Sequence, residues 1–141
     1  MPISRLDHYS IRTAELAATE RFYTTVLGFT AGPRPAFNFP GAWLYQDGVA
    51  VVHVVGIDPN DASGLKEYLG DKAMDGAKGT GTIDHVAFTG TDVEAMRERF
   101  RAAEVPFRDR LVPSLNLAQV FLEDPNGVTI ELNFPSPPAQ A

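Results

Sequence analysis

The chain carries its own pattern twice. Leu6-Asp7-His8-Tyr9-Ser10-Ile11 returns 77 residues later as Ile83-Asp84-His85-Val86-Ala87-Phe88. Glu20-Arg21-Phe22 returns as Glu98-Arg99-Phe100, and Gly28-Phe29 as Pro106-Phe107, both at an offset of 78. Each half closes on a turn followed by an apolar run: Asp47-Gly48 before Val49 to Val55, and Asp124-Pro125-Asn126-Gly127 before Val128 to Phe134. A duplication restricts the fold, because each copy must be the same supersecondary unit.

The order of elements follows from periodicity. Ile3 to Arg12 and Thr82 to Thr89 read as opening strands. A helix is expected from about Ala14 to Leu27, with Leu16, Phe22, Tyr23, Val26 and Leu27 as its apolar stripe, and its counterpart from Asp92 to Ala103, with Val93, Met96 and Phe100 at helical spacing. Thr91 and Glu94 suggest a capping box at the second start, and Gly28 a stop for the first helix. Three more strands are expected in each half: near Phe29 to Ala31, Ala42 to Gln46 and Val49 to Val55, then Phe107 to Val112, Ala118 to Glu123 and Val128 to Phe134. The class is therefore α+β, two βαβββ modules.

The first module is expected over residues 1–56, a linker over 57–81, the second module over 82–134 and a frayed, proline-rich tail over 135–141. The linker is rich in Gly, Asp and Lys, with one short helix expected around Leu65 to Leu69. At 141 residues, the chain has the size of one domain or of two small modules sharing a core.

Composition removes whole function classes. The chain has no cysteine, which excludes disulfides, thiolate metal sites, cysteine nucleophiles and iron–sulfur clusters. Eighteen acidic against twelve basic residues give a net charge of −6, which argues against nucleic acid and anionic membrane as partners, since both call for concentrated basic surface. The apolar runs are too short to span a bilayer, and Met1-Pro2-Ile3-Ser4-Arg5 lacks the apolar stretch of a secretory signal. A cytoplasmic location is expected.

The chain has three histidines, and each falls at a repeat-matched place. His8 and His85 match on the opening strands; His53 and Glu131 match on the closing strands. A pseudo-twofold relation between the copies would bring these four around one point. Strand alternation puts Glu131 with Thr129 and Asn133, opposite Ile130, Leu132 and Phe134, and puts His85 opposite Val86 and Phe88. It leaves His53 undecided, because Val49, Val51 and Val55 share its face while Ala50, Val52 and Val54 lie opposite. A lone strand histidine is more often a hydrogen-bonded core residue than a ligand, and Glu131 alone reads as an edge residue. Their coincidence points to one divalent transition metal: zinc, nickel, iron, cobalt or manganese. Calcium and magnesium prefer oxygen donors alone. Four protein ligands would leave two positions for neighbouring substrate oxygens, where the ion acts as a Lewis acid.

The repeated halves, the two Asp-His openings and the closing Glu-Asp-Pro-Asn-Gly-Val-Thr-Ile-Glu-Leu resemble the vicinal oxygen chelate superfamily. That superfamily includes glyoxalase I, methylmalonyl-CoA epimerase, extradiol dioxygenases, fosfomycin-modifying enzymes and metal-free bleomycin resistance proteins. The resemblance runs from about Ile3 to Phe134. It implies paired modules curled into an incomplete barrel around a central metal, with His8, His53, His85 and Glu131 as ligands, and a homodimer. It also implies a lyase or isomerase of glyoxalase or epimerase type, in which Glu131 moves a proton next to a carbonyl. Two other members stay open: an iron-dependent extradiol dioxygenase using His8, His85 and Glu131, and a non-catalytic small-molecule binding protein of the bleomycin resistance kind. Against the dioxygenase, His53 would fill a position oxygen chemistry needs open, and no fourth histidine remains as acid–base group.

Phe37, Phe39, Trp43 and Tyr45 are candidate walls for a small-molecule substrate, although such clusters are more often core or dimer contact. Arg34 is a candidate for gripping a substrate carboxylate; Asn116 and Gln119, expected on the strand before the closing hairpin, for orienting substrate oxygens; and Tyr68 for a lid. No nucleotide fingerprint follows a strand.

Overall fold

The computed structural model describes residues 5–58, 60, 63–70, 78–81 and 83–135. Residues 1–4, 82 and 136–141, on which the expected strand starts and the frayed tail partly fall, lie outside the described residues, as does much of the expected linker. The chain divides into two compact units, Met1–Ala77 and Lys78–Ala141.

The first unit contains β1 (Tyr9–Thr13), α1 (Leu16–Arg21), β2 (Thr30–Gly32), β3 (Gly41–Gln46), β4 (Val49–Gly56) and α2 (Ser63–Leu69). Its strands form one open mixed sheet in the order β1-β4-β3-β2, with β1 parallel to β4 and the other pairs antiparallel. The second unit contains β5 (His85–Thr89), α3 (Val93–Ala102), β6 (Arg108–Val112), β7 (Leu117–Glu123) and β8 (Thr129–Pro135). Its sheet has the matching order β5-β8-β7-β6, again with one parallel pair. Both units are thus βαβββ and the class is α+β.

The first helix departs from a regular α-helix. After α1 the chain widens into a π turn over Phe22–Val26, where the Leu27 N–H donates to Phe22 O. Gly28, at φ 84°, then reverses the chain, and the Phe29 N–H donates to Tyr23 O. That left-handed backbone suits a residue without Cβ. The widened turn puts Phe22, Tyr23 and Val26 into the core together. They join Ile11, Leu44, Val52 and Val54, all buried.

The expected capping box at α3 is replaced by a different cap. Asp92 itself is the N-cap, at φ 55°, and its carboxylate accepts from the Ala95 N–H at 3.1 Å. Glu94 turns instead to Arg97 and Arg101, both at 3.1 Å. Asp tolerates the left-handed region and accepts from the same N3 amide that Ser or Thr would serve, so the cap moved one residue along. Fully buried Phe100 ties α3 to its unit and stands 5.4 Å from the Phe107 ring.

The two closing hairpins solve their turns differently. Asp47 and Gly48, at φ 50° and 81°, make a two-residue turn of the kind whose twist suits antiparallel strands. In the second unit the buried Asp124 carboxylate accepts from the Asn126 and Val128 N–H groups at 2.8 and 2.9 Å. Among the described residues no helix is long and apolar enough to cross a membrane.

Candidate functional site

The register of the two sheets is the same at the candidate ligands. In the first unit Ser10 of β1 pairs with His53, and Trp43 of β3 faces His53 from the other side. In the second, Ala87 of β5 pairs with Glu131, and Phe121 of β7 faces Glu131. His85 opens β5 two residues before Ala87, hence on the Glu131 side of its sheet, whereas His8 stands one residue ahead of β1, not on it as expected, and reaches the His53 side by stacking on that ring. Both copies therefore bring an imidazole from the start of the opening strand, a closing-strand donor and an aromatic ring together.

Burial resolves the parity of β4. Val52 and Val54 are 0% and 1% exposed while Val51 and His53 are half-buried, so the ligand face is the open one. Val55 shares that face yet is buried, because Leu65 of α2 and Phe39 pack against it. A segment expected to be linker thus supplies part of the cover over the His53 side of this sheet.

Each opening histidine is oriented by the aspartate preceding it. The His8 Nδ1–H donates to Asp7 at 2.5 Å and the His85 Nδ1–H to Asp84 at 2.8 Å. A carboxylate on Nδ1 fixes the tautomer and leaves the Nε2 lone pair free. In the first unit the His8 and His53 rings stack at 3.7 Å, and Trp43 stacks on the other face of His53 at 4.0 Å. The His53 Nε2–H donates to Ala50 O at 3.1 Å, so its free lone pair is on Nδ1. Burial, and then the nearby His8, hold the His53 pKa below the usual imidazole value, which keeps it neutral near pH 7.

In the second unit His85 Nε2 lies 3.7 Å from Glu131 Oε1. Its pKa is raised, first by the Asp84 hydrogen bond and with help from Glu131. The other Glu131 oxygen, Oε2, accepts from the Asn133 amide at 2.9 Å. Asn133 Oδ1 accepts from the Gln119 amide at 2.9 Å, and Gln119 Oε1 from Arg110 at 3.0 Å. Every donor in this chain points toward Glu131, from a guanidinium to a carboxylate, so the bonds polarise one another in one direction. Glu131 is left with one oxygen tied and Oε1 facing His85.

The other candidates fall out as follows. Gln119 is buried, and both ends of its amide serve the chain just described. Asn116 is not on a strand: it ends a 3-10 turn (Pro113–Leu115) at φ 48° and is exposed. That left-handed turn position suits Asn better than a strand does. Trp43 stands at His53. Phe37 and Phe39 stack at 4.9 Å in the β2–β3 loop under Arg34, and the Tyr45 hydroxyl donates to Pro33 O. Tyr68 lies in α2, and its side chain lies outside the described residues. Among the described residues no three or more His, Asp or Glu side chains are gathered so that they could hold a metal ion; each unit holds one pair of candidate donors.

Several contributors were missed from sequence. Asp7 and Asp84 stood inside the repeated motif, and Phe121 is the repeat partner of Trp43, so the offset alone would have found them. Arg108 sits 4.4 Å above the Phe121 ring, and both line a cavity of about 610 Å³ with Phe107, Glu123 and Thr129. Nothing in the repeat signals Arg108.

The fold and the matched register define a duplicated βαβββ protein with one donor pair on each sheet. The chain matches the family model of the Glyoxalase/Bleomycin resistance protein/Dioxygenase superfamily over residues 5–132, and it belongs to that superfamily. It is 28% identical to a lactoylglutathione lyase of Pseudomonas putida, over 93% of this chain and 85% of that one. Among solved structures it is similar to a glyoxalase/bleomycin resistance protein/dioxygenase from Nocardioides, with TM-score 0.66, 24% identity and coverage of 99% and 91%. It is also similar in fold to the fosfomycin resistance protein FosX from Listeria monocytogenes, with TM-score 0.67, 16% identity and coverage of 95% of each chain.

Proposed function

We propose that the chain is a divalent-metal-dependent lyase or isomerase of glyoxalase type, acting on a small oxygenated molecule. The reading is carried by one observation: both copies bring an Asp-oriented imidazole from the start of the opening strand to a closing-strand donor. Membership of the superfamily and the resemblance to a lactoylglutathione lyase support it.

The donor set fits such an ion. His8 and His85 offer Nε2, His53 offers Nδ1 and Glu131 offers Oε1, a nitrogen-rich set with one carboxylate that suits borderline metals. Two donors on one ion, each bound at about 2.1 Å, stand about 3 to 3.4 Å apart. The 3.7 Å between His85 and Glu131 is within a few tenths of that. An ion held there would supply Lewis-acid stabilisation of negative charge on a substrate oxygen.

The chain's own residues do the rest. Glu131 Oε1, once it leaves the ion, takes a proton from the hydroxyl-bearing carbon beside the carbonyl, and the electron pair moves to the carbonyl oxygen. Glu131 then returns the proton to the former carbonyl carbon, as the neighbouring hydroxyl gives its proton to the former carbonyl oxygen and becomes the new carbonyl, while Asn133 keeps hold of Oε2. Trp43 and Phe121 form apolar walls that exclude water beside the donor pairs.

A second reading keeps His53 off the ion, its ring held between His8 and Trp43 at 3.7 and 4.0 Å, so that His8, His85 and Glu131 would form the two-histidine, one-carboxylate set of an iron dioxygenase. The two readings separate in deuterated water. Metal-loaded protein should exchange the proton next to the carbonyl of α-hydroxycarbonyl compounds, and Glu131→Gln should abolish the exchange. Oxygen uptake with catechol after iron loading would instead establish the dioxygenase. A chain that retains no metal after any loading would overturn both and leave a binding protein.

A further inference from the structure

The two copies place an arginine at the same point of their sheets and give it opposite surroundings. Arg110 pairs with Gln119, which pairs with Asn133. In the first sheet the place of Gln119 is taken by Gly41 and that of Asn133 by Val55, since Gly41 pairs with Val55. Continuing the β2–β3 register past Gly32↔Trp43 brings Arg34 opposite Gly41. The side chains agree: a Cβ on Gly41 would lie 2.9 Å from an Arg34 nitrogen. Arg34 is therefore the counterpart of Arg110.

Arg110 spends its hydrogen bond on an internal acceptor. Arg34 faces a glycine and a valine, neither of which offers a side-chain acceptor. One of its terminal nitrogens donates to Phe39 O at 3.2 Å. Its Nε is buried without an acceptor, and among the described residues no carboxylate pairs with it. A buried, unmatched guanidinium N–H is costly. Its guanidinium stands 5.1 and 5.4 Å from the Phe37 and Phe39 rings, which holds the cation on an apolar platform. Gly41 and Trp43 share one side of β3 with His53, so this cation lies on the ligand-bearing side of the first sheet.

We propose that Arg34 binds the carboxylate of the small molecule this site accepts, so that the substrate class is an organic acid with an apolar, preferably aromatic, body. Arg34 replaces an internal acceptor with an external one, using the planar fork that matches a carboxylate. Phe37 and Trp43 border the apolar part. The inference rests on the functional reading above for the identity of the face, but not for its chemistry.

The chain's single tryptophan, Trp43, reports occupancy. Fluorescence titration of the full chain, stripped with chelator and kept metal-free, compares phenylacetate with phenylacetamide. The acid should bind at least ten-fold tighter than the neutral amide. Arg34→Gln should bring the two to within about two-fold, and Arg34→Lys, which keeps charge but loses the fork, should fall between. Thermal melting of each variant checks folding, and the acid-to-amide ratio is a quantity that a purely structural arginine would not change. Equal binding of acid and amide by the parent chain overturns the inference, as does a ratio unchanged in folded Arg34→Gln. If Arg34→Gln does not fold, a parental ratio in Arg34→Lys overturns it. Because no metal is present, these results stand whether or not the metal reading holds.

Discussion

The three histidines are chemically alike in sequence and distinct in place. Asp84 holds the His85 pKa up, whereas burial and His8 hold that of His53 down. In metal-free protein, proton NMR titration should show His85 losing its proton above the usual imidazole value and His53 below it. Asp84→Asn should bring the His85 midpoint back down, while leaving His53 unmoved. The sign for stability follows: the His85–Asp84 contact contributes fully below the unfolded imidazole pKa and is lost as pH rises through the raised folded one. The repeat made the positions of His8, His85, His53 and Glu131 legible. It could not show which ring nitrogen is free, because that depends on Asp7, Asp84 and the Ala50 carbonyl. Nor could a sequence say that Gln119, a candidate for substrate contact, is bound at both ends inside a chain from Arg110 to Glu131.

At the scale of elements, alternation and turn chemistry were readable and local backbone irregularity was not. Strands β2 to β8 lie within about three residues of where the apolar pattern put them, whereas β1 begins only at Tyr9, with residues 5–8 and so His8 ahead of the strand. The π turn after α1 and the cap at Asp92 were hidden, since both depend on which backbone group finds a partner first. The shift between β2 and β6 was hidden as well. A constant offset of 78 would match Arg110 with Gly32, whereas the sheets match it with Arg34. The β7–β8 turn depends on one buried carboxylate. Asp124→Ala should leave the Asn126 and Val128 N–H groups without their acceptor and lower stability by about 2 kcal/mol. Urea unfolding followed by circular dichroism measures the loss, and a change below about 0.5 kcal/mol would show that the turn does not need that side chain.

For the whole molecule, the duplication has produced two units with the same strand order and register but different polar equipment. The first has an imidazole stack, a tryptophan and an arginine whose Nε has no internal acceptor; the second has a carboxylate held at the end of a hydrogen-bond chain. The proposed function has one central claim, that His8, His53, His85 and Glu131 are each ligands of a divalent ion. It is tested most directly by calorimetric titration of chelator-stripped protein with zinc and with nickel, for the parent chain and for His8→Ala, His53→Ala, His85→Ala and Glu131→Ala. The account expects one ion per chain and at least a ten-fold loss of affinity in each of the four variants, drawn equally from both units. Tight binding that survives removal of either residue pair, or no binding by the folded parent chain, would contradict it.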